Sequence, residues 1–466
     1  MPLLVRNGNI VTATDSYTAD IYCEADTITA IGRNLPAPPP GEKTEIIDAT
    51  GKYVFPGFID PHTHIYLPFM GTFAKDDYTS ASQAALIGGT TTIIEMICPS
   101  RKEEPLAAFE LWKSKGDGKS ACDFTFHMGV TRYDAAAESQ LREIVTAGLS
   151  SFKIFLAYKG AFGIDDTELY NTLKLAKSLG VITTAHCEND TAILERQREL
   201  LAAGKTGPAF HHESRPPMIE AEGVHHLMTF AAIHDAHCYI VHTSCEESLK
   251  EAVAAKFRGV HVWVETLIQY LLLDKTWAEK ENFEGAKYVM SPPLRDKKNQ
   301  KILWDALASG LVSTLATDHA PFDFATQKPM GKDDFTKIPN GIPAIEDRIN
   351  LFYTHGPAKA GGGRVSLHRF VDACSTQAAK LFGLFPRKGT IALGSDADLV
   401  IYDPTYRGKL SVKTQRQAVD YNAFEGFEIT GRPSAVTVRG KIATREGKFT
   451  GDPLRGKFLK REPNHF

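Results

Sequence analysis

The chain has 466 residues and carries 53 Lys and Arg against 56 Asp and Glu, a formal charge of −3 at pH 7. That balance points away from nucleic acid and from a polybasic membrane contact as partners. With 43% apolar and 23% charged residues, it is composed as a globular protein with room for roughly three domains, or for one barrel of ~250 residues with a smaller companion.

In chain order, Met1-Pro-Leu-Leu-Val-Arg-Asn-Gly turns polar too soon for a signal-peptide core. Short β-runs follow. Leu3–Arg6 and Ile10–Ala13 flank Asn7-Gly8, a hairpin signal, and Asp20–Tyr22 and Thr27–Ile31 come next, before a Pro-rich loop at 35–41. The middle of the chain alternates apolar, β-rich runs with helical patterns. The eight runs are Tyr53–Ile59, Thr90–Ile97, Asp123–Val130, Ser151–Ala157, Val181–Ala185, Tyr239–Val241, Val260–Glu265 and Val312–Thr317. The clearest helix is Asp166–Leu179, with Asp165 or Asp166 as N-cap and Gly180 as C-cap. Glu188–Val224 exceeds a minimal repeat and is expected to be an inserted helix and loop. Gly361-Gly-Gly363 reads as a flexible connection. Near the end, Ala397–Tyr402 is strand-like, and Ala435–Val438 turns at Arg439-Gly440 into Lys441–Thr444.

Near-continuous apolar strands alternating with helices imply a parallel sheet covered on its outer face, and eight such units predict an α/β fold of the (β/α)8 TIM-barrel type. The terminal segments are too short to be domains alone and are expected to pair into one small β-sandwich. The organisation expected is therefore 1–53 and 386–466 as the two parts of the sandwich, with 54–385 as the barrel. No apolar run reaches the ~20 residues of a membrane helix, and the final Arg-Glu-Pro-Asn-His-Phe carries no prenylation or retention signal. Seven cysteines without a Cys-x-x-Cys pair suit a reducing cytoplasm and argue against a thiolate zinc site.

Barrel active sites lie at the C-terminal ends of the strands. Reading off those ends yields His62 and His64 in Asp60-Pro-His62-Thr-His64, Lys153 within Ser151–Tyr158, His186, His242, and Asp318 in Thr317-Asp-His-Ala-Pro-Phe. Residues two apart on a strand face the same side, so His62 and His64 could clamp one cation. Each histidine alone is more often a core residue donating to a carbonyl than a ligand; four of them with an Asp, all at strand ends, point to metal. Lys153 lies among Phe and Ile, where a bare ammonium is costly. It either pairs with a carboxylate or, as a neutral amine, adds carbon dioxide to become N6-carboxylysine, whose two oxygens could bridge two cations. The ligand set favours the carbamate. Two Zn²⁺ ions fit nitrogen and oxygen donors, with Mn²⁺ or Co²⁺ as alternatives, and a hydroxide bridging them would be the nucleophile.

These residues resemble the amidohydrolase superfamily. Pro56-Gly-Phe-Ile-Asp-Pro-His-Thr-His-Ile-Tyr-Leu-Pro-Phe, Ser151–Tyr158, Ser291-Pro-Pro-Leu, Thr317-Asp-His-Ala-Pro-Phe-Asp, Ile338-Pro-Asn-Gly-Ile-Pro-Ala-Ile-Glu-Asp-Arg and Lys388-Gly-Thr-Ile-Ala-Leu-Gly-Ser-Asp-Ala-Asp-Leu resemble the D-hydantoinase/dihydropyrimidinase family along essentially the whole chain. The resemblance implies hydrolysis of the cyclic amide bond of hydantoins and dihydropyrimidines to N-carbamoyl amino acids. It also implies that Tyr158 holds the oxyanion, that Asp318 relays the proton, and that the backbone at Ser291 and Asn340 holds the ring's N–H and C=O edges. A homotetramer, or a homodimer, is implied as well.

Dihydroorotases resemble this family but place an Arg two residues after His-x-His. Here Tyr66 stands there, beside Leu67 and Phe69. A pocket lined by Leu67, Phe69, Phe155 and Phe162 would accept an apolar ring substituent and penalise a bare carboxylate. Val264-Glu-Thr-Leu-Ile-Gln-Tyr departs from the more common Gly-Glu-Thr-Cys-Pro-Gln-Tyr version. His225, His226, His234 and His237 read as helix-surface residues. An allantoinase is the nearest enzymatic alternative; a non-catalytic hydantoinase-like scaffold is the alternative from another class, disfavoured by the retained ligand set.

Overall fold

Eight parallel strands form the barrel sheet, each at one of the apolar runs. They are Phe58–Thr63, Thr90–Ile97, Asp123–Gly129, Ser151–Phe155, Ile182–His186, Cys238–Ile240, Val262–Leu267 and Thr314–Ala316, hydrogen-bonded to one another in chain order. The computed structural model describes residues 1–36, 43–360 and 362–463; the Pro-rich stretch from 37 to 41 and Gly361 lie outside the described residues. Between the first and last strands the ring is completed by the isolated bridge Thr63–His319 and by the His64 amide donating to the His319 carbonyl at 2.8 Å. Every residue of the eight strands is buried except Trp263, which is half-buried. Strands sandwiched between a filled barrel interior and an outer ring of helices must be apolar on both faces.

The helix Asp166–Leu179 shows how locally the crossovers are determined. Asp165 is the N-cap, its carboxylate accepting from the Glu168 amide while the Glu168 side chain returns to the Asp165 amide; Gly180 ends the helix at φ 66°. Between the fifth and sixth strands the expected insertion contains the helices Asp190–Ala202 and Phe210–Glu213 and the start of Pro217–His234.

The terminal segments share one hydrogen-bonded sheet of nine strands, eight along one path and Glu45–Asp48 paired off it to Leu3–Val11. Two expectations change here. Leu3–Val11 is a single strand with a register shift between Val5 and Gly8, not a hairpin about Asn7-Gly8. Asn7 takes φ 57° and its amide donates to Asp20 Oδ1 at 2.8 Å, which makes the turn signal a bulge. A Cβ on Gly8 would lie 2.4 Å from Val54 Cγ2, so only glycine fits. The run Tyr53–Ile59 is divided: Tyr53–Pro56 pairs with Leu399–Lys409 in the terminal sheet, and the barrel strand begins at Phe58. The hairpin at Arg439-Gly440 forms as expected, with φ 45° and 72°.

A buried ion cluster fastens this sheet to the barrel. Lys388 Nζ lies 2.6 Å from Asp123 Oδ2 at the start of the third barrel strand, 2.6 Å from Asp398 Oδ2 and 2.9 Å from Asp396 Oδ2; Arg439 also pairs with Asp123. Burial disfavours the Lys388 charge, but the three carboxylates hold its ammonium above the ordinary value. Removing one member of such a cluster strands the others in low dielectric. Lys388→Met is therefore expected to cost about 3–5 kcal/mol, read as a lower urea midpoint; an unchanged midpoint would show that this cluster does not fasten the two parts together.

Candidate metal centre and active site

At the C-terminal mouth of the barrel, four imidazoles and two further side chains converge on one point. His62 closes the first strand and His64 follows it, with ring centroids 5.3 Å apart. Asp318 Oδ1 lies 3.1 Å from His62 Nε2 and 3.2 Å from His64 Nε2. On the other side, His242 Nε2 meets His186 Nδ1 at 2.9 Å. The ring of His242 stands 5.4 Å from that of His62, which joins the two pairs. Lys153 is completely buried on the fourth strand, its Nζ without a hydrogen-bond partner among the described residues and 4.7 Å from the centroid of the Phe155 ring. All six residues line one cavity.

Strand geometry alone does not deliver all of these side chains. Tyr158, His242 and Asp318 lie just beyond their strands and have φ of 63°, 43° and 48°. Non-glycine residues at positive φ are costly and persist only where surrounding contacts impose them. Each turns its side chain back over the barrel mouth.

Protonation follows the surroundings. Burial lowers His64 to about 4 and pushes His186 and His242 down, leaving neutral imidazoles, the form that ligates metal. Burial also acts against a charged His62, but Asp318 and Glu265 outweigh it and raise His62 to about 9. Burial lowers Lys153 to about 8, so a neutral amine is accessible near neutral pH. The Asp318 carboxyl is also buried, yet His62 and His64 hold it well below the usual range.

Sequence reasoning missed the carboxylates behind the imidazoles. Glu265 Oε1 accepts from His62 Nδ1 at 2.7 Å and from the His242 amide at 2.9 Å, while its Oε2 accepts from the Tyr239 hydroxyl at 2.8 Å. Glu188 Oε2 lies 2.8 Å from His186 Nε2 and is held in turn by Arg215. Each carboxylate fixes a tautomer and leaves the opposite ring nitrogen aimed at the centre. A signal was present: Glu265 closes the apolar run Val260–Glu265, one of three barrel runs from which no site residue was drawn. The surface reading of the extra histidines holds for His225, which pairs with Glu251, and for His226, which pairs with Asp166. His237 is instead buried between the helix Pro217–His234 and the sixth strand, because the chain re-enters the barrel there.

The rest of the cavity wall is apolar. Leu67, Phe69, Phe155 and Phe162 all line it together with Tyr158, Ser291 and Asn340. Phe69 stacks on Phe162 at 5.9 Å and meets Tyr158 edge-on at 5.6 Å. Asn340 Nδ2 donates to Ser291 Oγ at 2.9 Å, bringing the two loop residues together. Tyr66 turns away, packing against Phe73 and Trp112. Cavity polarity is thus set by Leu67 and Phe69, not by Tyr66.

The donor set fits divalent cations. One oxygen and two nitrogens from His62, His64 and Asp318 lie within 4.8 Å of one another, with no thiol in that group among the described residues, and the rings of His186 and His242 stand beside them. A barrel with histidines, an aspartate and a solitary lysine at its mouth has the donor arrangement that a divalent-cation hydrolase needs.

Comparison with known proteins narrows this. Residues 53–443 match the amidohydrolase family model. A D-hydantoinase of Geobacillus stearothermophilus is 47% identical over 463 residues, covering 99% of this chain and 97% of that one. The solved D-hydantoinase (dihydropyrimidinase) from Thermus sp. superposes with a TM-score of 0.97 at 62% identity, covering 100% of both chains. The dihydropyrimidinase from Brevibacillus agri gives 0.96 at 43% identity, covering 99% of each. The chain belongs to the D-hydantoinase/dihydropyrimidinase family of the amidohydrolases, which are cyclic amidohydrolases.

Glu265→Gln keeps the side-chain shape but removes the charge that orients His62. Loss of such a supporting carboxylate is expected to weaken metal retention by about 10–100-fold, measured as metal content against a graded chelator; equal retention would show that Glu265 does not support the centre.

Proposed function

We propose that this chain hydrolyses the cyclic amide bond of hydantoins and dihydropyrimidines to N-carbamoyl amino acids, with His62, His64, Lys153, His186, His242 and Asp318 as the ligands of two divalent cations. The observation that carries the reading is the convergence of those six side chains beneath an apolar cavity wall. His62, His64 and Asp318 would hold one cation and His186 and His242 the other, with Lys153 between them. Its neutral amine would attack carbon dioxide, forming an N–C bond and releasing one proton, and the resulting N6-carboxylysine would offer one oxygen to each side. Zinc suits the donors, with manganese or cobalt as alternatives. When bound, the cations supply Lewis acidity and a nucleophile from water near neutral pH.

The chain's own groups do the rest. Burial raises the Tyr158 phenol, so it stays protonated and able to donate to an oxyanion forming at the ring carbonyl. Asp318, an ionised carboxylate, would accept the proton of the attacking water and deliver it to the leaving ring nitrogen. Backbone groups of Ser291 and Asn340 would hold the ring's N–H and C=O edges. Leu67, Phe69, Phe155 and Phe162 would take up an apolar ring substituent and disfavour a carboxylate there.

A cytoplasmic setting belongs to this reading, supported by seven cysteines that are all free and buried. No helix among the described residues is long and apolar enough to cross a membrane. A homotetramer, or a homodimer, belongs to this reading through the family resemblance. Segments 1–53 and 386–466 would form one unit around a barrel of 54–385.

Lys153→Ala is expected to lose metal and activity together; an active, metal-replete variant would refute the bridging carbamate. Tyr158→Phe is expected to keep its metal and lose about 10²–10³-fold in kcat, measured with metal content on the same sample. A hydrolysis panel of D- and L-5-substituted hydantoins, dihydrouracil and allantoin tests the substrate class. Turnover of allantoin with inert hydantoins would overturn it.

A further inference from the structure

Lys328 is completely buried, yet it faces no carboxylate in any ion pair among the described residues. Its Nζ donates to three backbone carbonyls: Val289 at 3.2 Å, Pro339 at 2.7 Å and Gly341 at 2.8 Å. An ammonium has three N–H donors, and all three are used. Those carbonyls come from two separate loops that face each other at the cavity, one leading into Ser291 and the other containing Asn340. The Gly341 amide also donates to the Val289 carbonyl at 2.9 Å, so the loops are laced together at the point Lys328 grips. There is no room to replace this lacing by a side chain: a Cβ on Gly341 would lie 2.2 Å from the Ala320 carbonyl oxygen.

The same device recurs around Ser291. The carbonyl before it, on Met290, accepts from His211 Nε2 at 2.9 Å, and the one after it, on Pro292, accepts from the Tyr270 hydroxyl at 2.6 Å. Both donors are buried. The carbonyls on either side of Asn340 go to Lys328. Each of the two residues whose backbone would meet the substrate ring therefore has both neighbouring carbonyls tied to a buried side chain. Peptide units fixed in this way have few ways to rotate, and their own groups stay aimed at the cavity.

We infer that Lys328 is a positioning residue for ring recognition: by gripping the carbonyls of Val289, Pro339 and Gly341 it sets the spacing and orientation of the Ser291 and Asn340 backbones, with Tyr270 and His211 holding the Ser291 side. This rests on the proposed function, in which those backbones bind the imide edge. It explains why a lysine is kept in the interior, where burial disfavours its charge and its nitrogen meets three backbone carbonyls. An apolar side chain of equal length would pack as well but could not hold three carbonyls.

The test separates recognition from stability. Lys328→Met, Lys328→Gln and Tyr270→Phe are compared with the unaltered protein for hydantoin KM, kcat per bound metal, metal content and melting temperature. Loss of the grip removes binding shared by ground and transition states. It is expected to raise KM by about tenfold or more in Lys328→Met, with kcat per metal within about threefold and metal content unchanged. Lys328→Gln, which retains two donors, should fall between, and Tyr270→Phe should raise KM by a smaller factor. A lower melting temperature with unchanged KM would overturn the inference and leave Lys328 as a structural residue. If Lys328→Met does not fold, unchanged KM in both Lys328→Gln and Tyr270→Phe overturns it equally. Failure of the unaltered protein to hydrolyse any hydantoin or dihydropyrimidine would instead overturn the proposed function.

Discussion

An amine with nowhere to put its charge organises this site. Lys153 Nζ is sealed within the barrel mouth, flanked by the Phe155 ring and by imidazoles that burial keeps largely neutral. Burial strips it of bulk solvent and no carboxylate among the described residues pairs with it, so the free energy of the charged form is high. Chemistry that turns the amine into an anion placed between cations would relieve that cost and balance the cations at once. The surrounding groups are arranged as such a centre needs. Nitrogens face inward, carboxylates stand behind the imidazoles, and Asp318 is held ionised beside His62 and His64.

Holding so many polar groups at one point requires a rigid frame, and the barrel supplies it through strain as well as regularity. Tyr158, His242 and Asp318 sit at positive φ on three different strand ends. Each such conformation costs on the order of 1–3 kcal/mol, and each is bracketed by contacts that leave the backbone no alternative. The His242 amide is fixed by Glu265. The residues flanking Asp318 are fixed too: Thr317 bonds to Asp60, while the His319 carbonyl takes the His64 amide and its ring meets Asp76. The Tyr158 carbonyl accepts the amides of Ala161, Phe162 and Gly163. A Cβ on Gly163 would strike the Ala157 carbonyl, which is why glycine closes that loop.

What could be read in the chain followed from periodicity and position. The eight barrel strands were legible because burial on both faces demands apolar runs, and the inward histidines because they stand at the ends of those runs. Residues that act by reaching across the fold were not legible. Glu265 looks like any strand carboxylate until His62, 203 positions away, is placed against it. Asn7-Gly8 has the composition of a hairpin, and only the close approach of Val54 shows that it is a bulge. Tyr66 was legible as a type but not as a direction: the chain turns after His64, so Leu67 and Phe69 face the cavity while Tyr66 packs outside.

The two halves of the cavity obey opposite rules. On the histidine side, polar groups are dense and meet through short contacts, with Lys153 Nζ left unpartnered among the described residues. Above it, Phe69, Phe155 and Phe162 form a cluster of aromatic surface on the cavity wall. A ring with a polar amide edge and an apolar substituent matches this division. Its polar edge can replace water against fixed backbone groups while its substituent gains contact with the aromatic wall. Under the proposed function, discrimination would rest on the penalty for misplacing either half: a carboxylate against Phe69 would lose hydration without a partner, and an apolar edge against Ser291 and Asn340 would leave buried backbone groups unpaired.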